Sequence, residues 1–292
     1  MDTIGLEDLW TFKDSGQSAE VSDCRAVRTS RGHKVSDFFE LAAKIAELQF
    51  RNRSQVLFFR GQQCDWIAEN QPHIGSTLRP KIFRRPTHPQ NSNWLSPRFE
   101  RLQEIEPQLV QTFRDNDFLG ADEIAKYRIL RWAILQHYEI CATPLLDVTQ
   151  SQRIGASFAS VGNKTKSAFL FVLGVPNVSG AITASAEAGL QTIRLSSVCP
   201  PTAMRPHIQE GFLLGEYPEI GDIDQKHNYS LHEVDFGKRL VAKFRFDPTQ
   251  FWTNRGQFQE VGPRALYPTE KEDSLRAALN SMPIMSQGKT AA

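Results

Sequence analysis

The sequence predicts a mixed α+β fold, and three observations carry that expectation. Helical spacing of apolar residues dominates the first half of the chain, short strand-forming runs recur from Val56 to Phe246, and the two types do not alternate as a doubly wound parallel sheet requires. With 292 residues, 40% of them hydrophobic, the chain is long enough to bury a sizeable core. Lys and Arg number 34 against 33 Asp and Glu, so a net charge of +1 supplies no overall field for nucleic acid or a membrane surface.

Residues 1–35 are polar and weakly periodic and read as an N-terminal extension, 36–285 as a single domain, and 286–292 as a flexible tail. From Ser36 as N-cap, Phe38, Leu41, Ala42, Ile45 and Leu48 recur at intervals of three and four, which predicts a core-facing helix. Val56-Leu57-Phe58-Phe59 is a short apolar run of strand formers stopped by Arg60-Gly61. Between residues 70 and 98, Pro72, Pro80, Pro86, Pro89 and Pro97 argue against long helices and predict an irregular loop. Helical patterns follow around Pro107 to Phe113, and from a cap at Asp122 through Ile129, Leu130, Trp132 and Leu135 to His137.

Leu145 to Thr149 reads as an extended segment, Ile154 to Phe158 as the start of a helix, and Ala168 to Leu173 as a buried strand. In Leu240 to Phe246, Leu240, Ala242, Phe244 and Phe246 alternate with polar Lys243 and Arg245, the pattern of a half-buried strand. A helix from Glu272 to Leu279 follows the Tyr267-Pro268 turn.

Several function classes lose support. No apolar run approaches the roughly 18 residues of a membrane span, and the first residues carry acids where a secretory leader carries Lys or Arg, so a cytoplasmic location is expected. Cys24, Cys64, Cys141 and Cys199 are far apart, without a Cys-x-x-Cys pair, so neither a metal site nor a disulfide framework is expected. Dinucleotide-fold, P-loop, zincin and α/β-hydrolase signatures are absent. His137, Asp147 and Ser151 are near one another in sequence, but a triad is defined by geometry. Charge is split: residues 51–85 hold Arg51, Arg53, Arg60, Arg79, Lys81, Arg84 and Arg85 against Asp65 and Glu69, whereas 209–235 hold seven acids against Lys226. These are either solvated faces that pair or a basic rim for a phosphate-bearing ligand.

Phe59-Arg60-Gly61-Gln62 with Trp66, and Thr77-Leu78-Arg79-Pro80-Lys81, form one distinctive block. Gln136-His137-Tyr138, Thr143-Pro144-Leu145-Leu146-Asp147-Val148-Thr149-Gln150-Ser151 and Phe158-Ala159 form a second, and Gln209-Glu210-Gly211-Phe212 a third. In this order, over about residues 36–280, they resemble the FRG domain family, named after Phe-Arg-Gly, which is distantly similar to ADP-ribosyltransferases. Glu139 stands where the family usually has Gly, Val148 where it often has Trp, and Phe212 follows Gly211 directly.

The resemblance implies an ADP-ribosyltransferase-like core split into two sheets, with N-terminal helices around it and NAD as co-substrate. It also implies a bacterial or phage toxin or defence effector with a nucleic-acid or protein acceptor and, in some systems, an antitoxin. Such a transferase develops positive charge on the nicotinamide ribose. Arg60 would then anchor phosphate, with Gly61 permitting close approach of a ligand or another backbone, or Arg60 pairs with Asp147. Within the same block, Gln62 and Trp66 would line the cofactor site, with Trp66 or Tyr138 stacking on a base. Thr149 and Ser151 would support the ribose, or cap the next helix. Gln209 or Glu210 would supply the third motif, Glu210 stabilising charge or acting as a general base, and His137 is a catalytic candidate through its block. A non-catalytic nucleotide- or nucleic-acid-binding module is the alternative.

Overall fold

Asp37 starts the first long helix. Its carboxylate accepts the Glu40 N–H at 2.9 Å, while Ser36, the expected cap, instead donates both its N–H and its hydroxyl to the Glu40 carboxylate. The helix, α2, covers Phe38–Arg51 and buries Phe38, Leu41, Ile45 and Leu48. It belongs to a computed structural model that describes residues 1–5, 9–14, 16–67, 72–86, 94–221, 234–253 and 258–283. The expected tail and most of the acidic segment after Gly221 lie outside the described residues. The chain divides into two compact units, one of residues 1–78, 148–178 and 235–263, the other of 79–147, 179–234 and 264–292. Each combines helices with a sheet, an α+β arrangement.

The first unit contains β1 (Leu9–Thr11), β2 (Glu20–Ser22), α1 (Cys24–Thr29), β3 (His33–Lys34), α2 and β4 (Val56–Gln62). Its main sheet runs β3-β10-β6-β4, with β6 at Ala168–Val175 and β10 at Leu240–Phe246; β3 is parallel to β10 and the other pairs are antiparallel. β6 lies between two partners, which is why its sequence is almost uninterruptedly apolar. β10 keeps the predicted alternation but not the predicted exposure. Lys243 is only 2% exposed, because its ammonium donates to Asp65 Oδ2 and Ser76 Oγ, both at 2.8 Å. The Arg28 guanidinium is likewise paired with buried Asp235, which also accepts the Leu78 N–H at 2.7 Å.

Gly61 explains the tight packing of α6 (Gln152–Ser160) on β4. A Cβ at residue 61 would lie 1.8 Å from the Gly155 carbonyl oxygen and 2.8 Å from the Ala159 nitrogen. The close approach expected at this glycine is therefore made by another backbone. β5 (Leu146–Thr149) carries the chain between the units, and in the first of them Thr149 pairs with Phe59.

In the second unit, α3 (Ser96–Asp115) begins inside the segment expected to be loop and continues through Pro107. Pro97 falls in its first turn, where the missing N–H costs nothing, and Phe99, Leu102, Ile105, Leu109 and Phe113 fill the core. The single helix expected from Asp122 is two: α4 (Ala121–Lys126), entered from left-handed Gly120, and α5 (Arg128–His137), separated by extended Tyr127. β7 (Ile182–Ser185), β8 (Leu190–Arg194) and β9 (Gly211–Glu216) form antiparallel pairs, and α7 (Met204–Ile208) leads into β9. The closing helix covers Ser274–Asn280. No helix among the described residues is long and apolar enough to cross a membrane.

Candidate functional site

A polar centre is built around the C-terminal end of α5. The Gln136 amide donates to Asp147 Oδ2 at 2.9 Å, and its carbonyl oxygen accepts the Thr143 N–H at 3.1 Å, closing the turn that brings β5 back to the helix. His137 is 3% exposed, with Nδ1 3.5 Å from Asp147 Oδ1. Burial lowers the histidine pKa and outweighs the hydrogen bond to Asp147, which favours a neutral ring donating from Nδ1 to the carboxylate. Its Nε2 is buried and meets no hydrogen-bond partner. The Asp147 side chain is 35% exposed, so two donors orient a carboxylate that still reaches solvent.

Neighbouring segments complete the centre. A Cβ at Gly211 would stand 2.9 Å from Leu195 Cδ1 and 3.2 Å from His137 Cε1, so the glycine opening β9 gives the imidazole its space. Tyr138 OH donates to Asp273 at 3.0 Å, and Asp273 also accepts the backbone N–H of Arg205 at 2.8 Å and of Arg276 at 2.9 Å. One buried carboxylate thus ties α5, α7 and the closing helix together. Burial pushes the Tyr138 phenol far above its ordinary range, which keeps it a neutral donor. Arg205 Nη2 lies 2.7 Å from Glu139 Oε1, and its guanidinium sits 5.0 Å from the Tyr267 ring centroid. Arg205 is 7% exposed, and its Nε is buried without a partner. Burial lowers the Arg84 pKa, whereas the Asp147 carboxylate supports its charge.

Two glutamates here have left-handed backbones, Glu139 at φ 61° and Glu210 at φ 45°. Residue 139 is where the resembled family has glycine, and the positive φ supplies the physical reason for that preference. This chain accepts the strain and gains a carboxylate on Arg205.

The sequence-selected residues fall in both units. In the first, Arg60 is half-buried on β4 opposite Phe171, Gln62 pairs with Phe169 with its Oε1 buried, and Trp66 is 61% exposed, its carbonyl accepting the Thr77 N–H. Thr149 Oγ1 accepts the Ser151 N–H at 3.0 Å, and Ser151 caps α6, so both hydroxyls have local backbone roles. In the second unit, Tyr138 is part of the core, Gln209 is 4% exposed with its amide donating to the Leu266 carbonyl, and Glu210 is exposed at the mouth of β9. Of the third block, Gly211 packs against His137, which in turn faces Asp147. Asp147, Glu139, Arg205 and Asp273 join the centre beyond the residues singled out from sequence; for Glu139 a signal exists, a bulky acid at a family glycine.

Residues 55–168 match the family model of the FRG domain. The match contains the first two motif blocks and runs through parts of both units, whereas Gln209-Glu210-Gly211 lies beyond it. No curated protein and no solved structure matches the chain.

Proposed function

We propose that this FRG-domain protein is an NAD-dependent mono-ADP-ribosyltransferase acting on a nucleic acid or a protein, with Asp147 as the carboxylate that faces the reacting ribose. The supporting observation is the setting of Asp147: a partly exposed carboxylate oriented by Gln136 and His137, with Gly211 of the third block packed against His137. In the transfer, an oxygen or nitrogen of the acceptor bonds to the ribose anomeric carbon, the bond to nicotinamide breaks, and nicotinamide leaves with the bonding pair as a neutral molecule. Positive charge builds on the ribose in between, and an anion already aimed at it lowers the barrier without reorganising. Gln136 and neutral His137 hold Asp147 in place. In this reading exposed Glu210 takes the acceptor's proton as a general base. A role as a toxin or defence effector, with or without an antitoxin, is part of the same reading.

One observation favours a second reading, a nucleotide-binding module without turnover. Two of the polar groups selected for chemistry, His137 and Gln209, are 3% and 4% exposed, and the Gln209 amide is committed to a backbone carbonyl. Incubation with NAD labelled in its adenylate, offered DNA, RNA and protein acceptors, separates the readings. Label on one acceptor class with release of nicotinamide supports the transferase; calorimetric binding of intact NAD without release supports the module and removes the transferase.

A further inference from the structure

Beside its apolar core face, α3 presents an exposed polar stripe next to α4 and α5. Gln103, Pro107, Gln111 and Arg114 recur at helical spacing on that side and line a pocket of about 510 Å³ together with Arg128 and Arg131. Pro107 has no N–H, so the Gln103 carbonyl loses its usual helical donor at the pocket wall. At the base, Glu106 is 6% exposed and accepts Arg131 Nε and Trp132 Nε1, both at 2.8 Å, with Arg128 Nε at 3.4 Å. Arg131 Nη1 is held by the Ile124 and Ala125 carbonyls at 2.8 and 3.0 Å. Glu106 is thus a buried clamp that fixes two guanidinium groups along one wall. Arg114 stands on the pocket lining with no carboxylate within ion-pair distance among the described residues. Three arginines against one glutamate leave the lining with a charge of +2.

We propose that this pocket binds a phosphate-bearing ligand of mononucleotide size, with Arg114 and Arg128 gripping the phosphate. Guanidinium forks match phosphate oxygens in pairs, and the volume lies within the roughly 300–1,000 Å³ of small-molecule sites. The Gln103 carbonyl and the Gln111 side chain offer polar contacts to a base or sugar, and Val110 and Ala125 give an apolar wall. A long nucleic-acid strand fits less well. Residues 96–137 carry six Lys/Arg against seven Asp/Glu, so the surrounding helices supply no extended basic track. The site shares no residue with the Asp147 centre and does not depend on the transferase reading.

Titration calorimetry on the full chain with AMP, adenosine, inorganic phosphate and a 5′-phosphorylated oligonucleotide tests the proposal. AMP should bind, adenosine at least tenfold more weakly, and the Arg114→Ala/Arg128→Ala variant should lose at least tenfold in AMP affinity. An Arg114→Gln/Arg128→Gln variant, which keeps the side-chain bulk, should show the same loss at an unchanged melting temperature. Arg101→Ala, on α3 but outside the pocket, should bind AMP as the parent does. Absence of AMP binding at millimolar concentration, or equal affinity in the double variants, overturns the site. Phosphate binding as tightly as AMP overturns the nucleotide assignment, as does an oligonucleotide that binds more tightly than AMP with a steep salt dependence.

Discussion

Replacing Glu139 by glycine sets two effects of the same residue against each other. At φ 61° a non-glycine residue carries a steric cost of about 1–2 kcal/mol, which Glu139→Gly removes, less part of that gain for the extra freedom glycine has in the unfolded chain. The same change deletes the carboxylate 2.7 Å from Arg205 Nη2. Were both partners exposed, that pair would contribute about 0–1 kcal/mol, and glycine would stabilise. Arg205, however, is 7% exposed with one guanidinium nitrogen already unpaired, and stranding a buried charge costs about 3–5 kcal/mol. Because the Glu139 side chain is 60% exposed and water can replace part of it, the lower end of that range applies. The net expectation is a loss of about 1–2 kcal/mol, or roughly 2–8 °C in melting temperature at about 2–4 °C per kcal/mol. Thermal melts of the parent, Glu139→Gly, Arg205→Met and the double variant measure it. The cycle should return a coupling of about 3 kcal/mol, because the relief of strain at residue 139 is the same with or without Arg205 and cancels. A variant as stable as the parent, or more so, with no coupling would refute the claim that Arg205 depends on Glu139.

Three further outcomes follow from the packing. Gly61→Ala places a methyl 1.8 Å from a backbone oxygen that no side-chain rotation can clear, so a loss of about 3 kcal/mol or more is expected by chemical denaturation, whereas Gly262→Ala, with open space around it, should stay within about 0.5 kcal/mol. Lys243→Met strands the Asp65 carboxylate and should cost about 3–5 kcal/mol, and adding Asp65→Ala should recover part of that rather than add to it; simple additivity would contradict the buried pair. His137 and His33 both have folded pKa values lowered by burial, so the unfolded chain binds more protons and stability is lost as pH falls below about 6.5. The His137→Gln variant should show a shallower fall in melting temperature between pH 7 and 5.5 than the parent, and parallel profiles would contradict a neutral His137.

Periodicity made α2, β4, β6, β10 and α6 legible because each is encoded within its own few residues. Proline density does not reveal the start of α3, because Pro97 sits in a first turn, where proline is tolerated, and Pro107 is carried by core residues on both sides. The burial of Lys243 was not legible from β10, since its partner Asp65 is 178 residues away. Gly61 was readable as a close approach, but only the fold shows that Gly155 makes it. The Asp147 centre was half legible: Gln136, His137 and Asp147 lie within one motif block, whereas the Tyr138–Asp273 and Arg205–Glu139 contacts span 135 and 66 residues. Contacts of that range leave no local pattern in a single sequence.

Nicotinamide release by the parent and by Asp147→Asn, each checked for an unchanged melting profile, tests the transferase reading most directly. Asparagine keeps the size and can still face Gln136 and His137, but it removes the negative charge. The reading predicts release by the parent with NAD and a suitable acceptor, and a rate about 100-fold or more lower in the variant, the scale seen when one preorganised electrostatic group is removed. Equal rates in the two proteins would contradict the role given to Asp147, and no release by the parent with any acceptor would contradict the activity itself.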